Sequence, residues 1–153
     1  MKRVEIYTDG ACSYNPGPGG WGAVLLYQGH EKQMSGFCDN TTNNRMELLA
    51  VIKGLQELKE KCSVLLYSDS AYVVNAYDKK WIDEWSKNAW HTMGKKEVKN
   101  VDLWQELFIL SKKHDITWIK VKGHSDNKYN NICDKLAREE IEKHQKNKEE
   151  KND

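Results

Sequence analysis

No run of this sequence stays apolar for the ~20 residues that a membrane span needs. Met1-Lys2-Arg3 leads straight into a strand-like stretch, so neither a secreted nor a membrane protein is expected. Cysteine is sparse and lacks pairing: Cys12, Cys38, Cys62 and Cys133 form no C-x-x-C spacing. That argues against a disulfide frame or a thiolate zinc site and fits reduced thiols in a cytoplasmic protein. Proline is limited to two residues, both between Gly10 and Gly20, where four glycines accompany them. That segment reads as a loop. Net charge is missing too, with 24 basic against 23 acidic side chains giving +1, and a neutral total speaks against a nucleic-acid binder. What the 153 residues do contain is 39% hydrophobic and 31% charged side chains. This is the balance of one soluble domain that buries roughly 70% of its unfolded surface.

The neutrality is unevenly built. Residues 1–78 hold 7 basic and 9 acidic side chains, whereas residues 79–100 hold 6 and 3. A short basic block therefore rides on a neutral-to-acidic chain.

Val4 to Asp9 alternates with strand period and is rich in β-formers. Trp21–Tyr27 and Glu31–Asp39 read as two further strands joined at Gln28-Gly29, giving an antiparallel meander. Thr41-Thr42-Asn43-Asn44 signals a helix start. Behind it Leu48, Val51, Ile52, Leu55 and Leu58 mark an amphipathic helix to about Glu60. Ser63–Ser68 is a buried strand, Ser70–Tyr77 a short helix, Val101–Lys113 a helix, Ile116–Lys122 a strand and Asn131 to about Lys143 the last helix. The residues from His144 to Asp153 contain no apolar side chain and are expected to fray as a disordered tail, leaving residues 1–143 as the single domain. The order predicts an α/β fold with a five-stranded mixed sheet flanked by helices, its first, fourth and fifth strands parallel.

Four carboxylates occupy unusual places. Asp9 and Asp69 each close a strand, in Thr8-Asp9-Gly10 and Ser68-Asp69-Ser70, at the edge where open α/β sheets bind ligands. A turn-forming role would explain either alone. Glu47 borders the apolar stripe of the first helix, where it is either the far end of an Asn44-x-x-Glu47 capping box or a carboxylate facing the sheet. Asp134 begins the last helix, where dipole stabilisation is the plain explanation. Preceding it, Lys122-Gly123-His124-Ser125 leaves a strand and opens a polar loop. Four converging acids would repel one another unless cations were bound. An all-oxygen set suits Mg²⁺ or Mn²⁺, and several carboxylates holding two hard cations suit phosphoryl transfer.

Taken in order, these segments resemble the bacterial-type ribonuclease H family. The resemblance is carried by Tyr7-Thr8-Asp9-Gly10-Ala11-Cys12, Asn15-Pro16-Gly17-Pro18-Gly19-Gly20-Trp21, Thr41-Thr42-Asn43-Asn44-Arg45-Met46-Glu47-Leu48, Ser68-Asp69-Ser70, Val121-Lys122-Gly123-His124 and Asn130 to Asp134. It implies an RNase H-like fold and an endoribonuclease that cuts the RNA strand of RNA–DNA hybrids with two Mg²⁺, leaving 5′-phosphate and 3′-hydroxyl ends. By the same resemblance Asp9 bridges both metals, Asp134 serves the nucleophile side, and Glu47 and Asp69 serve the other. His124 assists proton movement or product departure, and Asn130 shapes the site. Asn15, Thr42, Asn43 and Asn44 hold the two strands in the minor groove, where a 2′-hydroxyl distinguishes RNA from DNA. Two departures from the family pattern stand out: Ala71 where many relatives carry Gln, and Asn131 where Glu usually follows Asn, with Asp126 adding a carboxylate nearby.

The basic block matches a basic protrusion found in some members. Lys87, Lys95, Lys96 and Lys99 are expected on DNA-strand phosphates. Trp81 and Trp85, one helical turn apart, are expected to share a face, packed on the body near Trp104 with at least one partly open to substrate. A monomer is expected. The competing readings are a hybrid-binding module without catalysis and another nuclease of similar fold. The presence of all four acids and His124 weighs against the first, and the joint Thr-Thr-Asn-Asn-Arg-Met-Glu and Gly-His elements against the second. Two bound Mg²⁺ would make the near-neutral chain net basic.

Overall fold

Lys2–Cys12 (β1), Gly17–Tyr27 (β2) and His30–Thr41 (β3) form the antiparallel meander, and Cys62–Ser68 (β4) and Asp115–Lys120 (β5) extend it in parallel. The sheet order is β3-β2-β1-β4-β5, with the first, fourth and fifth strands parallel as expected. The computed structural model describes residues 1–122 and 127–152, with side chains through Lys148; His124 and Asp126 lie outside the described residues. The hairpin between β2 and β3 turns on Gln28 and Gly29, both at positive φ (46° and 80°), the conformation that matches two-residue turns to strand twist.

The segment read as a Gly-Pro loop is mostly strand. Gly10 to Cys12 continue β1 and Gly17 to Gly20 begin β2, leaving only Ser13–Pro16 as a bend. Pro18 sits in the register shift between Gly17 and Gly19, where a strand tolerates a missing N–H. The glycines are there because helices press on the sheet. A Cβ on Gly10 would lie 2.5 Å from the Glu47 nitrogen, and one on Gly22 would lie 2.5 Å from the Cys133 carbonyl.

Asn43–Gln56 (α1) begins at Thr42, whose hydroxyl accepts the Arg45 N–H at 3.2 Å. It ends four residues short of Glu60; Leu58 continues the apolar rhythm yet reaches the core from the turn that follows. Ala71–Asp78 (α2) is capped by the Ser70 hydroxyl. Trp81–Lys87 (α3) and Val101–Ser111 (α4) bracket the basic insert. Together α1, α2 and α4 cover one face of the sheet, over a core that includes Ile6, Leu48, Ile52, Leu66 and the fully buried Trp104.

Lys128–Asn152 (α5) crosses the opposite face and packs its buried Cys133 on Tyr7 and Val24. It starts three residues before the predicted Asn131 and does not fray after Lys143. His144 stacks on Phe37 with ring centroids 3.9 Å apart, and its Nδ1 lies 2.9 Å from the Glu140 carbonyl. That contact holds the first turn of the all-polar stretch, and the Lys, Glu and Gln beyond it are good helix formers. Among the described residues no helix is long and apolar enough to cross a membrane.

Candidate active site

Asp69 follows the last residue of β4, but Asp9 does not close its strand, since β1 runs on to Cys12 in its pairing with β2. The two acids meet because β1 and β4 are adjacent and in register, Thr8 opposite Ser68, so that Asp9 and Asp69 emerge side by side. Gly10, lacking a side chain, lets the α1 backbone touch β1, which places Glu47 against them. Carboxylate oxygens of Asp9, Glu47 and Asp69 all lie within 4.8 Å of one another. Because Thr42 is the cap, Arg45 occupies the third helical position and Glu47 lies two residues further on. The capping-box explanation of Glu47 therefore fails, and its carboxylate is left for the cluster.

Asp134 lines the same open cleft of about 390 Å³, with Asn43, Asn44 and Ser70 on its walls. It stands outside the tight cluster of three. As α5 begins at Lys128, Asp134 is past the first turn, and its carboxylate takes hydrogen bonds from Arg138 at 2.9 and 3.1 Å. The dipole role suggested by the sequence does not apply there.

The electrostatics are those of an acid cluster short of positive charge. Burial, and then the charge of Asp69, pushes the Asp9 carboxyl from its ordinary 3.8 up to about 7. Burial, and then the charges of Asp9 and Asp69, holds Glu47 well above its ordinary value. The Glu47 Oε2 is buried without a hydrogen-bond partner among the described residues. A buried, partnerless carboxylate oxygen facing two other acids is costly unless a cation answers it. All donors are oxygens, so the set fits a hard divalent cation and not zinc.

Around this centre the start of α1 presents polar groups. Asn15 Oδ1 accepts the Asn43 N–H at 3.1 Å, which ties the β1–β2 bend to the helix and leaves the Asn15 amide NH₂ directed elsewhere. Asn43 and Asn44 are exposed, Thr42 is half-buried, and Asn130 is 3% exposed with a buried, unpartnered Oδ1.

A second group was not legible in the sequence. Arg45 forks onto Asp102 at 2.9 and 2.7 Å and reaches Asn100 at 3.3 Å; Asn100 and Trp104 in turn donate to the Tyr72 hydroxyl at 3.1 and 2.9 Å. This network joins the catalytic end of α1 to α2, just after Asp69, and to the exit of the insert. Its members are scattered between positions 45 and 104; the only local hint is the Asn at 100, a residue type that tolerates the left-handed φ of 60° found there.

The insert is anchored by buried Ile82 and Val98. Trp85 packs edge-on against Trp104 with centroids 5.4 Å apart, while Trp81 remains 37% exposed with the Lys79 ammonium 5.4 Å from its ring centre. Lys87, Lys95, Lys96 and Lys99 are all exposed and form no ion pair among the described residues.

A 3-2-1-4-5 sheet with acids gathered where the β1–β4 pairing ends defines the RNase H-like class of α/β proteins. The RNase H family model matches residues 1–142, and the chain belongs to the RNase H family. Ribonuclease H of Acetivibrio thermocellus is 64% identical over 146 residues, covering 95% of this chain and 99% of that protein. Ribonuclease H of Caldanaerobacter subterraneus subsp. tengcongensis is 64% identical over 141 residues, covering 92% of each. Among solved structures LC9-RNase H1, a type 1 RNase H with the type 2 active-site motif, matches with a TM-score of 0.82 at 27% identity over 92% of this chain and 72% of that one. LC11-RNase H1 in complex with an RNA/DNA hybrid shares the fold at a TM-score of 0.66 and 22% identity, over 92% of this chain and 98% of that one.

Proposed function

We propose that this ribonuclease H hydrolyses the RNA strand of RNA–DNA hybrids as an endonuclease, leaving 5′-phosphate and 3′-hydroxyl ends. The observation that supports this most directly is the cluster of buried Asp9 with half-buried Glu47 and Asp69, including a Glu47 oxygen without a partner among the described residues, beside the amide-bearing start of α1. Asp9, Glu47, Asp69 and Asp134 would hold two Mg²⁺, with Mn²⁺ as a substitute, which supply charge neutralisation and Lewis-acid activation of water and phosphate when bound.

The chain's own groups divide the remaining work. Asp9 is buried and shares the cleft with Glu47, Asp69 and Asp134, which suits the shared ligand. Asp134 joins by exchanging Arg138 for the site. Asn15, Thr42, Asn43 and Asn44 offer short donors and acceptors to the wide minor groove of an A-like duplex, where the 2′-hydroxyl reports RNA. Asn130, in the first turn of α5, would help to shape the site. His124 is the proton-handling group by family resemblance. Lys87, Lys95, Lys96 and Lys99 neutralise phosphates of the DNA strand, with Trp81 and Trp85 forming the base of that grip. Residues 1–143 form the catalytic domain, with the end of α5 as an appendage, in a cytoplasmic monomer.

The test is incubation of an end-labelled hybrid with and without Mg²⁺, with single-stranded RNA, duplex RNA and duplex DNA as controls. Mg²⁺-dependent cleavage of the hybrid's RNA strand alone is expected. Binding without cleavage under every divalent ion would favour a binding module, and cleavage of duplex DNA another nuclease.

A further inference from the structure

Tyr14 is 73% exposed, and most large apolar side chains of this protein are not. It stands in the Ser13–Pro16 bend, one residue from Asn15 and two from Cys12, which lines the acidic cleft.

The bend is rigid. Ser13 N–H donates to the Pro18 carbonyl at 2.9 Å, the Cys12 thiol to the Tyr14 carbonyl at 2.7 Å, and the Asn43 N–H to Asn15 Oδ1 at 3.1 Å. The turn is closed so tightly that a Cβ on Gly17 would come within 2.6 Å of the Tyr14 carbonyl. An aromatic ring on a mobile loop could fold back and bury itself. Here the backbone is held from both sides, and the ring is kept in solvent beside the groups that face the minor groove. A ring with two side-chain torsions on a fixed backbone loses little entropy on meeting a ligand, and it brings a large apolar area.

We propose that Tyr14 is a substrate-contacting residue. Its ring packs against the sugars and exposed base edges of the strand that Asn15, Asn43 and Asn44 hold, and it sets how tightly that strand is gripped. The inference rests on the hybrid-cleaving function proposed above. The neighbouring asparagines supply hydrogen bonds, and the lysines of the insert supply charge from the other side. Tyr14 supplies uncharged surface, which minor-groove sugars in an A-like duplex can match. A contact of this kind releases no counterions, so its contribution is independent of salt, unlike that of a lysine on a phosphate.

The experiment is steady-state cleavage of a labelled hybrid by the wild type, Tyr14→Ala and Tyr14→Phe between about 50 and 200 mM salt. Tyr14→Ala is expected to raise KM about tenfold, as loss of one stacking contact does, with kcat within about twofold. Its slope of log KM against log salt should match the wild type, and Tyr14→Phe should restore KM to within about twofold. Thermal melts should coincide, since the side chain is mostly in water. A Tyr14→Ala KM within twofold of the wild type, or a changed salt slope, overturns the contact while leaving hybrid cleavage standing. A wild type that neither binds nor cleaves the hybrid overturns the functional reading and the contact together.

Discussion

Replacing Asp9 with asparagine should make the metal-free protein more stable while abolishing its turnover. Asp9 is 5% exposed, and burial with the charge of Asp69 raises its folded pKa to about 7 from 3.8. The folded chain thus binds this proton more tightly than the unfolded chain. Its contribution to stability is full below about pH 4 and is lost as pH rises towards 7. Some three units at about 1.4 kcal/mol each set an upper limit near ~4 kcal/mol. The asparagine removes the ionisable group and keeps an oxygen for the Gly10 N–H, which the aspartate accepts at 2.9 Å. In EDTA at pH 8 we expect Asp9→Asn to gain about 2–4 kcal/mol, a Tm rise of roughly 5–15 °C for a chain of this length. Near pH 4 the gain should vanish. The assay is urea denaturation at both pH values, followed by a Mg²⁺ titration in which only the wild type is stabilised, by about 1.4 kcal/mol at ten times Kd. A gain of equal size at both pH values, or a loss at pH 8, would refute the argument from buried like charges.

Replacing Lys95, Lys96 and Lys99 with alanine should weaken hybrid binding and flatten its salt dependence by about one unit of slope per lost phosphate contact, measured by anisotropy across a salt series. Arg138→Ala should free Asp134 from an exposed ion pair worth no more than about 1 kcal/mol, and calorimetry should then show Mg²⁺ binding up to about fivefold tighter; weaker binding would mean that Arg138 helps to build the site. His114, 8% exposed, accepts the Cys62 N–H on Nδ1 at 3.1 Å, and burial lowers its pKa below 6.5. The folded state binds this proton less readily, so stability should be full above about pH 6.5 and decline below it, and His114→Gln should flatten that decline in urea melts. Gly22→Ala should cost about 1–3 kcal/mol, because the new methyl meets the Cys133 carbonyl, and it should lower kcat by displacing Asp134; unchanged kcat would uncouple the two.

The sheet was legible because β1 alternates with period two and β4 is a short apolar run, although β4 proved buried on one face only, every second residue being half-exposed. Glycine was the misleading signal. In Gly10 and Gly17 to Gly20 it reads as flexibility, yet the residues lie in strands, and at Gly10 and Gly20 the missing Cβ makes room for a helix backbone that no local pattern can foretell. The end of α1 was misplaced for a related reason: Leu58 keeps the helical rhythm although the chain has already turned. Within the site, Asp9 and Asp69 were legible from their matching Asp-plus-turn patterns taken together, although β1 runs on past Asp9 to Cys12. Glu47 needed the structure, since only the cap at Thr42 removes its local explanation. The Arg45–Asn100–Tyr72 network was invisible because each bond spans some 28 or more residues.

The close seat of α5 on β2 also bears on the spacing of the site's acids. Asp9 pairs across the sheet with Gly22, Gly22 touches the main chain at Cys133, and Cys133 precedes Asp134. The spacing of the two acids is thus gauged by three closely seated backbones, with the Cys133 thiol donating to the Tyr7 carbonyl at 3.2 Å. Core residues on the far face, such as Ile52 and Leu66, stand outside this chain of contacts between Asp9 and Asp134.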